Sequence, residues 1–218
     1  SSMMVSDISI TNYSVGLRLH AHDFEEPGIA YIQNLTIVSS DALSVEYYDA
    51  QISDSDLVGS ISVAGSTINL IDSSMIGTKS LSTEGALNEW STHSLSAMLN
   101  GISVEATYVI STELLDQPST YSGQFIDIIL QYSKHTETQS QSSTNATIET
   151  YSAMSLVNNS EFELGNNINQ QVIISLLPNA APVTSVSLPY SGQRFMETTP
   201  IEVIYTVTDD TTIFSDIA

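Results

Sequence analysis

Apolar and polar residues alternate with a period of two at several places along the chain, which is the pattern of a strand whose successive side chains point to opposite faces. Val15, Leu17, Leu19 and Ala21 alternate with Gly16, Arg18, His20 and His22. Ile102, Val104, Ala106, Tyr108 and Ile110 form a second run, and Ile201, Val203, Tyr205 and Val207 a third. Groups of β-branched and aromatic residues predict further strands over 29–38, 43–48, 147–154, 172–177 and 183–188. Between Ser60 and Leu70, Gly65 separates two alternating stretches and predicts a hairpin, because glycine adopts the positive φ of a tight reversal without steric cost. Residues 83–100 support two readings. Leu87, Trp90, Ser94, Leu95 and Met98 share a helical face, with Asn100-Gly101 as its C-cap, whereas Ser91, Thr92, Ser94 and Ser96 are mediocre helix formers and favour irregular strand and loop.

Together these elements predict an all-β protein of β-sandwich type, either two sandwich domains or one sandwich with a large β extension. The run from Ser133 to Asn145 contains no apolar residue and has the composition of a linker or long exposed loop. The expected division is therefore a sandwich domain over 1–133, a polar linker or loop over 134–146 and a smaller β domain over 147–218. No fixed-period repeat is evident.

Composition narrows the function classes. Apolar residues make up 41% of the 218 positions, too many for a disordered Ser-rich chain. Four Lys and Arg against 25 Asp and Glu give a formal net charge of −21. A polyanion of this kind repels phosphate backbones, so nucleic acid and anionic membrane are not expected partners. The excess arises from scarce Lys and Arg, not from acidic blocks, which leaves Ser, Thr, Asn and Gln to coat the surface. There is no cysteine, so neither a disulfide nor a thiol nucleophile is available. No apolar run is long enough for a membrane-spanning helix. The start, Ser1-Ser2-Met3-Met4-Val5, lacks the basic-then-apolar pattern of a signal peptide, as expected of a processed chain or an excised piece.

Candidate chemistry is sparse. His20 and His22 lie two apart on a predicted strand, on one face, with Asp23, Glu25 and Glu26 following, a spacing compatible with a metal site. Asp54 and Asp56, with Asp49 and the Asp209-Asp210 pair, offer oxygen ligands of the kind calcium prefers, although without the loop spacing of an EF-hand. Solvated charge in strands and turns is the simpler account of these residues, and no obligatory cofactor is expected, although calcium is possible. No Gly-x-Ser-x-Gly elbow, His-Glu-x-x-His or phosphate-binding loop occurs, and the chain is not expected to be an enzyme. Four Asn-x-Ser/Thr sequons, at Asn12, Asn34, Asn145 and Asn158, are candidate glycosylation sites and agree with an extracellular or cell-surface location.

The segment Pro118-Ser119-Thr120-Tyr121-Ser122-Gly123-Gln124-Phe125 and the alternating run to Tyr132 resemble the closing strand of fimbrial subunits of the chaperone-usher or spore-coat-U type, with Ser119 where that family usually has glycine. The resemblance implies an incomplete immunoglobulin-like domain completed by a strand from a neighbouring copy, and hence a homopolymeric filament. The donor strand would be N-terminal, within 1–13, with Met4, Ile8 and Ile10 as the face contacting the next subunit. The chain departs from the family in continuing well beyond this segment and in lacking the family's cysteine pair. The expected function is thus an extracellular structural protein, a subunit of a filament or fimbria-like assembly. The alternatives are a surface-adhesin module that binds a glycan, a host surface or calcium, and a virion surface protein.

Overall fold

The computed structural model describes residues 2–21, 28–153, 155, 157–165, 170–179, 183–188, 194 and 203–208, and all its regular elements are strands. The first half contains β1 (Ser2–His20), β2 (Gly28–Glu46), β3 (Tyr48–Ser53), β4 (Asp56–Ala64), β5 (Thr67–Ile71), β6 (Ser74–Ile76), β7 (Lys79–Ser82) and β8 (Ala86–Leu99). Every ladder among these strands is parallel: β1 with β2, β2 with β3 and β4, β3 with β5, β4 with β6 and β7, and β5 with β8. The chain therefore winds as a β-solenoid, each turn lying beside the previous one. The step between turns is longest at the first and then settles near 18 residues, the spacing of Tyr47, Gly65 and Thr83 and of Gly59 and Gly77, a repeat where none was expected. Asn34 bonds Asp7 across 27 residues, Leu35 bonds Ser55 across 20 and Ser55 bonds Ser73 across 18.

Three stacked corners bend the chain. At the first, Asp7, Asn34, Asp54 and Asp72 take φ of 59, 54, 51 and 48°, the left-handed region that Asn and Asp tolerate because their short side chains bond locally. The serine that follows each of the last two corner residues supports the next turn. The Leu35 amide donates to Ser55 Oγ at 3.0 Å, and the Ser55 amide to Ser73 Oγ at 3.1 Å. Tyr47, Gly65 and Thr83 form the second corner, with φ of 55, 57 and 52°. Gly59 and Gly77, at φ 137 and 151°, form the third, where a Cβ on Gly77 would meet Gly59 O at 1.9 Å. Between corners, alternate residues stack inward in columns: Ala30, Ala50 and Ile68; Ile32, Ile52 and Leu70; Ile37 and Leu57; Leu43 and Ile61; Val45 and Val63. Each of these is at most 2% exposed.

The second half contains β9 (Ile102–Val104), β10 (Ala106–Ser111), β11 (Ser119–Gly123), β12 (Phe125–Thr136), β13 (Ser140–Ser142), β14 (Asn145–Tyr151), β15 (Asn158–Glu163) and β16 (Gln170–Leu176). It folds as a two-layer sandwich. One layer combines β8 with β9, β12, β13 and β16, and the other has the order β11-β10-β14-β15. Leu95, Ala97, Ile128, Leu130 and Ile174 pack across the gap with Tyr108, Ile110, Ala146, Ile148 and Phe162. β17 (Val183–Leu188) and β18 (Ile204–Thr208) pair antiparallel in a sheet of their own.

The all-β expectation therefore holds, and stacked sheets are present in the second half. The immunoglobulin-like detail does not describe the first half, whose ladders are parallel where an immunoglobulin sandwich is antiparallel. The Gly65 turn forms, but not the hairpin. β4 and β5 leave it to pair with strands one turn away, because Ile61, Val63, Ile68 and Leu70 all enter the same solenoid core. Of the two readings of residues 83–100 the helix is absent and the strand forms, as the regular β8, whose inward residues Leu87, Glu89, Ser91, His93, Leu95, Ala97 and Leu99 are all buried. Asn100 and Gly101, at φ 52 and 78°, make the two-residue turn between paired Leu99 and Ile102.

The expected linker over 134–146 is part of the sandwich. β12 runs to Thr136, turns through the Thr136 amide to Gln139 O at 2.8 Å, and β13 returns along Ser133–His135. β14 then joins β10, on the other side of the expected boundary. The polarity of this stretch reflects an exposed hairpin at a sheet edge. The change of architecture lies within β8, where Leu87 belongs to the solenoid core and Leu95 to the sandwich core.

Candidate functional site

The most distinctive surface is the open end of the solenoid. Met3, Val5, Ile8, Ile10 and Leu17 of β1 stack on Ala30, Ile32, Leu35, Ile37 and Leu43 of β2. The β2 members are at most 2% exposed, whereas Met3 is 36% exposed and Val5, Ile8, Ile10 and Leu17 are only half-buried. Among the described residues no strand pairs with the other edge of β1. Its outward backbone N–H and C=O groups thus border a cross-section of apolar core, the combination that templates pairing with another chain. This edge also carries little charge. From Ser2 to His20 the only formally charged residues are Asp7 and Arg18, which cancel. Asp7 accepts a bond from Asn34 Nδ2 at 3.0 Å, and that bond, with one from Ser6, holds its carboxyl below the usual range.

The structure divides the expected contact strand. Ile8 and Ile10 pack onto the core, while Met4 points outward at 83% exposure, because the left-handed corner at Asp7 resets the alternation. The segment expected as a donor pairs within its own chain here, with Ser2–Thr11 and Val15–His20 on one ladder with β2. Among the described residues β1 is the edge strand of the solenoid sheet, paired on one side with β2.

Among the described residues the expected metal ligands do not converge. His20 Nδ1 lies 3.1 Å from Glu46 Oε2 near the second corner, with both side chains about half exposed. His22 lies outside the described residues, as do Asp209 and Asp210. Asp54 and Asp56 flank the first corner, where Asp54 accepts from Gln33 Nε2 at 3.2 Å and Asp56 accepts from Ser74 Oγ. Asp49 Oδ1 accepts the Thr67 amide at 2.7 Å. Among the described residues no three carboxylate or imidazole groups gather in a way that could hold a metal ion. Of the sequons, Asn12, Asn34 and Asn145 are exposed and Asn158 is half-buried. Asn34 donates to Asp7, and Asn158 Nδ2 donates to Ser175 O at 3.0 Å.

Two polar groups went unread in the sequence. Where the last solenoid turn meets the sandwich, Lys79 Nζ donates to Glu89 Oε2 at 2.9 Å and lies 2.8 Å from His135 Nε2. His135 Nδ1 is 2.9 Å from Ser140 Oγ, so β7, β8, β12 and β13 meet in one network. Burial works to raise the pKa of Glu89, but the bonds from Lys79 and Ser133 and the positive charge of Lys79 outweigh it and hold the carboxyl below its usual range. Burial, with the charges of Glu89 and Asp72, pushes the nearby Tyr132 hydroxyl up. Deeper in the sandwich, Ser91 Oγ lies 2.8 Å from His93 Nε2, and the imidazole meets the Phe162 ring edge-on at a centroid distance of 5.0 Å. Burial holds the His93 pKa below its usual value, against the charge of Asp72. Ser91 and His93 are both fully buried, so this hydroxyl and imidazole form an internal pair closed to substrate.

A groove of ≈ 540 Å³ crosses the outer face of the four-stranded sheet, where Ser111, Pro118, Thr147, Glu149, Asn159 and Glu161 are among its lining residues. No protein-family model, no curated protein and no solved structure matches this chain.

Proposed function

We propose that the protein is an extracellular or cell-surface structural component, not an enzyme, whose copies join by β-strand addition into a filament or fimbria-like assembly. The observation that carries this reading is the β1 edge, a 19-residue strand beside half-buried aliphatic residues with no described partner on its outer side. An edge of that length gains a ladder of backbone hydrogen bonds and apolar burial when it is covered. The hydroxyl-rich surface and the resemblance of Pro118–Tyr132 to fimbrial closing strands support the same reading. A filament also places the partner in other copies of this chain, not in nucleic acid, which a charge of −21 repels. Electron microscopy of the concentrated protein tests it: ordered polymers are expected, and a uniform field of monomers would refute it.

The groove on the four-stranded sheet favours a second reading, a surface-adhesin module. Its hydroxyl, amide and carboxylate groups, set beside apolar Val109, Pro118 and Ile148, suit the hydroxyl groups and ring faces of a glycan. Glycan-array screening and calorimetry with calcium would test it, and blank results in both would remove it.

A further inference from the structure

Strand addition at β1 does not by itself say which segment of the neighbouring copy arrives. Among the described residues the β17–β18 hairpin is a two-stranded sheet separate from both larger ones, and every side chain described in it is exposed. Val183 and Tyr205 are each 66% exposed and Ile204 is 43% exposed, with Val203 beside them at 57%. An isolated two-stranded hairpin is marginal in water, and one with apolar side chains facing solvent gains most by adding to a larger sheet.

The β1 edge offers that sheet. Its straight side Ser2–Ser6, before the Asp7 corner, is close in length to β17 and β18, of 6 and 5 residues. That side exposes Met4 on its outer face at 83%, with Ile29 and Tyr31 of the next turn at 41% each, and Met3 and Val5 toward the core. A strand laid along it would cover apolar groups on both faces of the sheet. Charge points the same way. Neither Ser2–Ser6 nor either strand of the hairpin contains a charged residue, in a chain whose net charge of −21 makes most surfaces of two copies repel.

We infer that the β17–β18 hairpin of one copy docks on the Ser2–Ser6 side of β1 in the next, adding to the solenoid sheet. This rests on the strand-addition reading and supplies its donor. The contact joins two different surfaces, so it propagates head to tail and builds an open filament unless the rotation closes a ring.

The test measures mass by light scattering over a range of concentrations for the full chain, Tyr205→Pro and Met4→Glu, with thermal melting followed on each. Proline in β18 removes a backbone donor, and glutamate at Met4 adds charge to the receiving side. The unsubstituted chain is expected to grow in mass with concentration, and each variant to need at least about tenfold more protein to do so. Melting should not change, because both sites lie outside the two cores. If the parent chain assembles and Tyr205→Pro assembles equally well, the hairpin is not the occupant, although loss on Met4→Glu would keep strand addition at β1. If the parent chain stays monomeric at every concentration, both the inference and the reading beneath it fall.

Discussion

The solenoid and the sandwich use the same period-two alternation to build cores that differ in how they end. In the solenoid each inward residue stacks on its counterpart a turn away, so burial is complete in the middle and incomplete at the first turn: Ile37 is 0% exposed, while Ile10 above it is half-buried. In the sandwich two layers cover each other, and the core admits fully buried polar side chains such as His93 and Thr150. A stacked array carries its stability in neighbour interfaces, and an uncovered terminal unit is its weakest member. The surface with the most to gain from a partner is accordingly the end of the solenoid.

This contrast can be broken at defined points. The largest effect is expected at a corner. Gly77→Ala would place a Cβ 1.9 Å from Gly59 O at φ 151°, and a loss of about 4 kcal/mol is expected in urea unfolding followed by Trp90 fluorescence. Near-parental stability would mean that the third corner is not as tight as described.

Next comes the joint between the regions. Glu89→Leu alone leaves the Lys79 ammonium largely buried without its carboxylate and is expected to cost about 3 kcal/mol, while adding Lys79→Met should restore most of it. A double variant as unstable as the single one would assign the loss to packing and not to charge.

Within one column, Ile37→Ala should cost about 3 kcal/mol and Ile10→Ala about 1 kcal/mol, since the end residue is already partly in water. Equal losses would show that the first turn is covered.

The smallest effect belongs to the sandwich core. The folded-state pKa of His93 lies below the ordinary 6.5, so as pH falls through 6.5 the unfolded chain takes up a proton first. Stability is full above 6.5 and is lost as pH drops toward the lowered value. Glu89 adds a similar loss below 4.5, because its carboxyl is also held low in the fold. The His93→Phe variant should flatten the melting temperature in the upper window only, and an unchanged slope there would remove His93 as the cause.

Much of the strand content was legible in the sequence because alternation is a local property. Val15–Leu19, Ile29–Val38 and Val172–Leu176 all lie in strands. The parallel stacking was not legible, since the corners that recur every 18 residues carry different residue types, such as Tyr47, Gly65 and Thr83, the first two steps are longer, and parallel strands leave the same alternation as antiparallel ones. β8 was open to a helical reading because its Ser and Thr residues sit between scattered apolar ones, and only its neighbours on both sides show which face is buried. At the candidate site, the strand character of the first residues was legible, but the corner at Asp7 that separates Met4 from Ile8 has no apolar signature. The Lys79–Glu89–His135 network joins residues 10, 46 and 56 positions apart, a proximity that only the fold creates.

Amide hydrogen exchange, followed segment by segment in dilute and concentrated protein, tests the open edge most directly. In dilute solution the β3 and β5 amides should be strongly protected and those of Ser2–Ser6 weakly so, and on concentration Ser2–Ser6 and the β17–β18 hairpin should gain protection together. Strong protection of Ser2–Ser6 at every dilution, with no change on concentration, would contradict the account.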